Sequence, residues 1–198
     1  MRRVRTYIGL GANLGDAAGT IARGIRALAA LPGVRPHAVS RLYVTRPVGV
    51  VDQLPFRNAV VALDVPAGPD PATGATALLV ALKQLERAFG RQERERWGPR
   101  ELDLDLLVFG RAKLSVNHPP GGRPDPSMSE RFLVVPHPEA RRRLFVLAPL
   151  ADIAPGLVPP GWGESVAAAR RRQESVEGPA AVRPVGRWDA ARGWVPTA

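Results

Sequence analysis

Two aspartates separated by a single leucine, Asp103 and Asp105, stand at the start of an apolar run in the sequence. Side chains on a β-strand alternate between its two faces, so both carboxylates point the same way, about 6.6 Å apart along the strand by the usual rise. Carboxylates at the mouth of a buried strand are costly unless a positive group neutralises them. A magnesium–nucleotide complex is the natural candidate, because Mg²⁺ usually takes one or two protein carboxylates together with substrate phosphates.

An arginine-rich segment lies just before these aspartates, after Glu86 near the end of a predicted helix. Its cations are Arg91, Arg94, Arg96 and Arg100. Phosphoryl transfer needs cations placed on the moving charge, and Gly90 and Gly98 bound a segment suited to closing over a substrate. The same pattern also fits a solvated arginine loop beside an exposed strand face, with Trp97 in the core. The residue types alone leave both interpretations open.

Composition narrows the class of protein. The chain has 198 residues, enough for one domain with a full core, and no cysteine, which excludes disulfides and thiolate chemistry. Its net charge of +10 suits a polyanion or a small phosphate-rich ligand, although a genome that favours arginine would give the same balance through solvated side chains. No apolar run approaches the roughly 18 residues of a membrane helix, so we expect a cytoplasmic protein without a membrane partner.

The elements that must position these residues follow from the apolar periodicity and the turn residues. We expect a helix capped by Asp16, a second helix capped by Asp70 or Thr73, and Gly90 at the end of the second helix. The predicted elements in chain order are a strand at 4–10, a helix at 16–31, strands at 39–45 and 58–65, a helix up to about 89 and a strand at 102–109. This β-α-β-β-α-β order predicts an α+β, ferredoxin-like core with an antiparallel sheet and both helices on one face. Residues 144–150 are the candidate cover for the other face.

The first glycine-rich turn, residues 9–15, invites a dinucleotide-binding interpretation, but its spacing departs from the usual fingerprint. The sequence after it has no acidic residue placed to hold a ribose. A Walker-type phosphate loop is absent from the sequence. We therefore interpret the turn as one that needs unusual backbone angles.

The blocks of sequence, taken together, resemble the 6-hydroxymethyl-7,8-dihydropterin pyrophosphokinase family of folate biosynthesis. The matching blocks are residues 7–16, 45–49, 56–59, Glu86 with 90–91, 96–105, 135–138 and 143–150. Members transfer the β,γ-pyrophosphoryl group of ATP to the hydroxymethyl group of a reduced pterin and release AMP. The resemblance covers roughly residues 4–160. We accordingly expect a catalytic domain at 1–160 and a C-terminal extension at 161–198, rich in arginine, proline and tryptophan, that packs in part on the domain.

The resemblance implies roles at the phosphate end. Asp103 and Asp105 would hold two Mg²⁺ ions, and Arg91 and Arg100 would clamp phosphates in the closed state. The implied ATP-binding residues are Glu86, Arg94, Arg131, His137 and Arg143. His137 also fits a structural histidine, and the neighbours of Arg143 are expected to be solvated.

At the pterin end, the resemblance implies stacking of the ring between Phe56 and Phe145, with Asn58 at its hydrogen-bonding edge. The remaining implied contacts are backbone groups near Thr45 and Val48 and the ring of Trp97, which packs over the pterin on closure. Phe145 lies in an apolar run, so core packing is the alternative for it.

The sequence also departs from the family pattern. The segment between Gly90 and Trp97 is one residue shorter than in some relatives, which leaves either Glu93 or Arg94 to meet the α-phosphate. Val134 replaces a hydroxyl residue often found near the adenosine. The stretch 117–129, dominated by proline, glycine and serine, is predicted to be a surface insertion.

Two rival functions remain at this point. A ferredoxin-like RNA-binding module would use the basic surface, but residues 58–63 carry none of the exposed aromatics that such modules need. A dihydropterin dehydrogenase using the first glycine turn is weaker still. We expect no nucleic-acid partner, and a monomer or a homodimer.

Overall fold

The computed structural model describes residues 2–46, 53–92, 98–117 and 131–197. It is an α+β fold, as predicted. The strands are Arg3–Ala12 (β1), Arg35–Val39 (β2), Leu42–Thr45 (β3), Phe56–Pro66 (β4), Asp103–Phe109 (β5), Leu114–Asn117 (β6), Arg131–Val135 (β7), Val182–Asp189 (β8) and Gly193–Val195 (β9). The α-helices are Ala17–Ala29 (α1), Pro71–Ala88 (α2), Leu144–Ile153 (α3) and Val166–Glu177 (α4).

The main sheet has the strand order β5-β1-β4-β3-β8-β9, with β2 also paired to β4. The pairings in this sheet are antiparallel. Of the predicted strand at 39–45, residues 42–45 form β3, whereas residue 39 is the last of β2, most of which was not predicted. The break between the two strands lies where the Ser40 hydroxyl accepts the Val60 N–H at 2.9 Å. A side chain thus replaces a backbone partner at that point.

Helices α1 and α2 cover one face of the sheet. Both begin at the predicted caps: Asp16 accepts from Gly19 N, and Asp70 accepts from Thr73 N, each at 2.9 Å. Capping side chains of this kind satisfy N–H groups that have no partner within the helix. The apolar residues of the two helices join those of β1, β4 and β5 in the larger core, with Ile21, Leu28 and Leu82 fully buried.

Helices α3 and α4 cover the opposite face, where residues 144–150 were expected to pack. A second core contains Val60 and Leu107 from the sheet, with Leu147 and Leu150 from α3 and Val166 from α4. The other end of α3 is tied to β3, because Asp152 accepts from Arg41 Nη2 at 2.6 Å and from the Tyr43 hydroxyl at 2.9 Å. Helix α3 is therefore held by its packing on the sheet and by the hydrogen bonds of Asp152 near its C-terminal end.

The residues after 160 are built into the fold. Helix α4 packs on α3, and β8 pairs with β3, with Val182 opposite Thr45. The rings of Trp188 and Trp194 meet edge to face with centroids 5.0 Å apart and pack against the core on the α1 side. The sequence did not predict β6 and β7, which form a separate two-stranded sheet. Within the described ranges, no helix has both the length and the apolar character that crossing a membrane requires.

Candidate active site

A cleft of about 290 Å³ opens at one end of the strands of the main sheet, on the side that α3 covers. It lies where β1, β4 and β5 meet the beginning of α3. Its lining combines carboxylates, cations, amides and aromatic rings: Gly11, Thr45, Arg46, Phe56, Asn58, Lys83, Arg91, Gly98, Arg100, Asp103, Asp105, Arg143 and Phe145. Most of the predicted site residues are thus brought together in one place.

The alternation of β5 places the two predicted carboxylates in this cleft. Leu102 and Leu104 are fully buried towards α1 and α2, whereas Asp103 and Asp105 are half-buried on the other face. Strand β1 lies beside them, with Gly11 opposite Asp103. Gly11 has no side chain, and a Cβ at this position would lie only 3.2 Å from Asn58 Oδ1. The absence of a side chain at Gly11 therefore leaves room at the floor of the cleft.

Glu86 is the buried centre of the charged groups at one end of the cleft. Its side chain is 1% exposed and accepts from Lys83 Nζ at 2.9 Å, Arg91 Nη1 at 2.6 Å and Leu104 N at 2.7 Å. Burial raises the pKa of Glu86, and Asp103 adds to that effect, while the two cations and the Leu104 N–H oppose it. The carboxylate is thus held in place by three donors.

Arg91 joins Glu86 to the first of the paired aspartates. Its Nη1 lies 2.8 Å from Asp103 Oδ1, and Arg100 Nη1 lies 4.0 Å from the same oxygen. Burial opposes the charge on Arg91, but Glu86 and Asp103 outweigh it and raise the pKa of this guanidinium. Both arginines predicted to bind phosphates therefore stand beside the predicted metal ligands.

Asp103 and Asp105 also fit a magnesium ion by their chemistry. Carboxylate oxygens are the hard donors that Mg²⁺ prefers, and it commonly uses only one or two of them. Among the residues that the structure describes, no group of three or more His, Cys, Asp or Glu side chains is placed to hold a metal. The donor set therefore suits an ion that completes its shell with water and substrate phosphates.

Asn13 fixes the segment that carries Arg100. The side-chain Oδ1 of Asn13 accepts from Arg100 N at 2.7 Å, and the backbone N–H of Asn13 donates to Arg100 O at 3.0 Å. Its Nδ2 donates to Gln53 Oε1 at 3.0 Å and to Leu54 O at 3.1 Å. The sequence alone did not indicate a role for Asn13 or for Lys83. The signal in the sequence is an asparagine that directly follows an apolar strand, and the structure shows it to be buried.

The other end of the cleft is lined by an amide, a hydroxyl and two aromatic rings. Asn58 and Thr45 are buried, and Asn58 Nδ2 donates to Thr45 Oγ1 at 2.7 Å. Phe56 lies on β4 and Phe145 on α3, and both line the cleft. The Arg143 guanidinium lies 5.7 Å from the centre of the Phe145 ring. Four of the residues predicted for the pterin, Thr45, Phe56, Asn58 and Phe145, thus lie in one cleft.

The remaining predicted residues lie elsewhere or outside the described ranges. His137 lines a separate depression of about 970 Å³ with Arg141, Arg142 and Arg172. The backbone N–H of His137 donates to Leu107 O at 2.9 Å. Arg131, on β7, donates to Asn117 on β6. Neither is among the residues that line the cleft. Val48, Arg94 and Trp97 lie outside the residues that the structure describes, as does most of the predicted insertion at 117–129.

A comparison of sequences decides the family. The sequence model of the 7,8-dihydro-6-hydroxymethylpterin-pyrophosphokinase (HPPK) family matches residues 7–155, which is more than half of the chain and contains the whole lining of the cleft. The chain belongs to this family. The HPPK match therefore agrees with the resemblance drawn from the sequence blocks.

Curated relatives carry the same family name. The 2-amino-4-hydroxy-6-hydroxymethyldihydropteridine pyrophosphokinase of Methylorubrum extorquens is 42% identical over 154 residues, covering 78% of this chain and 85% of its own. The enzyme of the same name from Pseudomonas aeruginosa is 40% identical over 153 residues, covering 77% and 82%. These relatives are named as pyrophosphokinases, so the RNA-binding alternative is not supported.

A solved HPPK structure has the same fold. Wild-type Plasmodium falciparum HPPK-DHPS, crystallised with pterin and p-hydroxybenzoate, superposes with a TM-score of 0.71 over 98% of this chain and 48% of that one. The chain thus spans about half the length of that protein. At 15% identity, the likeness establishes the fold and nothing further.

Proposed function

We propose that this protein transfers the pyrophosphoryl group of ATP to the hydroxymethyl group of 6-hydroxymethyl-7,8-dihydropterin, giving AMP and the pterin diphosphate for folate synthesis. Membership of the HPPK family supports this activity. The observation that carries it for this chain is a single cleft lined by paired aspartates and arginines together with a buried amide and two aromatic rings. The two sets of residues suit the two substrates.

The pterin end offers both stacking and hydrogen bonding. Phe56 and Phe145 supply flat apolar faces for a bicyclic ring. The hydrogen bond from Asn58 Nδ2 to Thr45 orients the amide, and its Oδ1 can accept from a donor edge of the ring. A buried amide of this kind discriminates strongly against ligands that lack the matching donor. We expect Val48 and Trp97 to complete this end, as the family resemblance implies.

The phosphate end offers charge. Asp103 and Asp105 would hold Mg²⁺, two ions by the family resemblance, and the metal would neutralise triphosphate charge and orient the reacting oxygens. Arg91 and Arg100 stand beside them and would bind phosphate oxygens. Glu86 is fully engaged by three donors, so it would act on ATP through Arg91 and Lys83 rather than by direct contact. The further ATP-binding assignments are Arg94, Arg131, His137 and Arg143.

We infer in addition that the core is ferredoxin-like and that residues 1–160 form the catalytic unit. The order β5-β1-β4-β3, with α1 and α2 together on one face, supports the first inference. The family match at 7–155 supports the second. The residues after 160 would then serve to support this unit.

The test is product analysis with the purified chain, ATP, Mg²⁺ and 6-hydroxymethyl-7,8-dihydropterin. We expect AMP and the pterin diphosphate in equal amounts, and no AMP when the pterin is omitted or the metal is chelated. Release of ADP or inorganic phosphate instead of AMP would contradict pyrophosphoryl transfer. Retention on RNA without AMP release would favour the binding module.

A further inference from the structure

The start of α3 carries two residues of the cleft, Arg143 and Phe145, but receives no cap from its own N-cap side chain. The first N–H groups of a helix need partners outside it. The Leu144 N–H, which lies between the two cleft residues, donates to Glu177 Oε1 at 2.9 Å. Glu177 is the last residue of α4. A second helix therefore supplies the cap.

Glu177 is itself held in position. Gln173, one turn earlier on α4 and only 7% exposed, donates from Nε2 to the same Glu177 oxygen at 2.9 Å. Helix α4 ends there, because Gly178 follows with a φ of 85°. The carboxylate thus has a fixed direction towards α3.

The chain that follows Glu177 reaches the other wall of the pterin end. Residues 177–182 line a cavity of about 310 Å³ together with Thr45, Arg46 and Phe145, three residues that also line the cleft. Val182 then pairs directly with Thr45 at the start of β8. One segment, beyond the family match at 7–155, therefore contacts both the Phe145 wall and the Thr45 wall.

We propose that Glu177 is a positioning residue for the pterin end of the cleft. By capping α3 from α4, it sets the direction in which Phe145 and Arg143 leave the helix. It touches neither substrate and acts through the backbone of Leu144. This role rests on the proposed function, since it assigns Phe145 to the pterin.

The cap requires an acceptor oxygen at the right distance. Glutamine retains an oxygen at the same distance, whereas aspartate retains the charge on a side chain one methylene shorter, and alanine removes the acceptor. Negative charge near a helix N-terminus adds to the effect, but only modestly at an exposed position. The series Glu177→Gln, Glu177→Asp and Glu177→Ala therefore separates acceptor geometry from charge.

Glu174 gives a matched control on the same helix. It pairs with Arg170 at 2.8 Å within α4 and is not among the residues that line the cleft or the adjacent cavity. Binding of 6-hydroxymethyl-7,8-dihydropterin by the full chain would be followed by fluorescence, with AMP release and the melting temperature measured in parallel. We expect Glu177→Ala and Glu177→Asp to weaken pterin binding by up to about fivefold to tenfold, the factor that corresponds to the stability contributed by one helix cap. We expect Glu177→Gln and Glu174→Ala to stay within about twofold of wild type.

The outcomes separate the two proposals. If the wild type releases AMP but the Ala and Asp variants bind pterin as it does, Glu177 has no positioning role and the proposed function stands. If Ala, Asp and Gln variants all lose binding equally, the geometric role is wrong. If the wild type neither binds pterin nor releases AMP, both proposals fail. Should Glu177→Ala not fold, the Asp and Gln variants carry the same comparison.

Discussion

At the scale of single residues, the two carboxylates of the cleft differ in their surroundings. Asp103 is paired with Arg91 at 2.8 Å, and Arg91 also holds Glu86. Asp105 lies two residues further along the strand, opposite Gly9. Both are half-buried, so neither supports the core by its volume. Their roles can therefore be tested without opening a cavity.

We predict that Asp103→Ala and Asp105→Ala each lower AMP release at least about 100-fold, because each removes an oxygen ligand from the metal that the reaction requires. The melting temperature should change little, since Arg91 keeps Glu86 as a partner when Asp103 is removed. Steady-state AMP release and thermal unfolding check both parts. Near-wild-type AMP release in either variant would make the metal assignment wrong.

The ring of Phe145 is expected to act on one substrate only. We predict that Phe145→Leu raises the KM for the pterin about threefold to tenfold, because leucine keeps the apolar bulk but loses the flat stacking face. The KM for ATP should stay within experimental error. Phe89→Leu is the matched control, since Phe89 is also half-buried but packs against the core on the α1 and α2 side. Equal effects of the two substitutions would refute the stacking role.

At the scale of elements, the pairing of β1 with β4 carries a cross-strand ion pair. Arg5 lies opposite Asp64 and donates to both of its oxygens, from Nε at 2.7 Å and from Nη2 at 3.0 Å. This hydrogen bonding lowers the pKa of Asp64, against the small opposing effect of burial. A carboxyl whose pKa is lower in the folded state stabilises the fold above its ordinary pKa and loses that contribution as the pH falls towards the folded value.

We predict that Asp64→Asn lowers the free energy of unfolding at pH 7 by about 0.5–1 kcal/mol, the range for a well-aligned pair at a partly exposed position. The difference from wild type should shrink as the pH falls from about 5 towards the folded pKa, because the wild-type carboxyl then takes up a proton. Urea unfolding at several pH values from 3 to 7 measures it. A difference that stays constant over this range would show that the pair is not its cause.

The predictions that the structure confirms at the level of helices and strands are those that depend on neighbouring residues. The caps at Asp16 and Asp70 and the alternation along β5 depend on residues within a few positions of one another, and all are found. The break between β2 and β3 lies where Ser40 meets Val60, and the pairing of β6 with β7 joins segments on either side of residues 118–130. Contacts between distant residues leave little trace in local periodicity, so the sequence did not reveal them.

At the scale of the whole molecule, the two faces of the sheet have separate tasks. The cleft opens on the α3 side, whereas Trp188 and Trp194 pack on the α1 side, where the Arg26 guanidinium lies 5.8 Å from the Trp188 ring centre. The C-terminal strands β8 and β9 bring these rings to the core. A substitution on the α1 side of the sheet should therefore change the stability of the fold without changing the activity of the cleft.

We predict that Trp194→Ala lowers the free energy of unfolding by about 3 kcal/mol through the lost packing of a large ring. Pterin affinity and AMP release per folded molecule should remain within about twofold of wild type, since the site itself is untouched. Urea unfolding and activity measurements made well below the melting temperature would be compared. A large loss of activity in the folded variant would show that the two faces are coupled.

The sequence by itself determined what depends on neighbours along the chain. It indicated the α+β class, the helix caps, and the placement of Asp103 and Asp105 on one face of a strand, since alternation and capping are local rules. Tertiary structure alone decided which side chains meet. The contacts of Glu86 with the Leu104 N–H, of Asn13 with the Arg100 backbone and of Glu177 with the start of α3 depend on packing between segments distant in sequence. Such contacts are specified by the whole core, so their geometry appears only once the chain is folded.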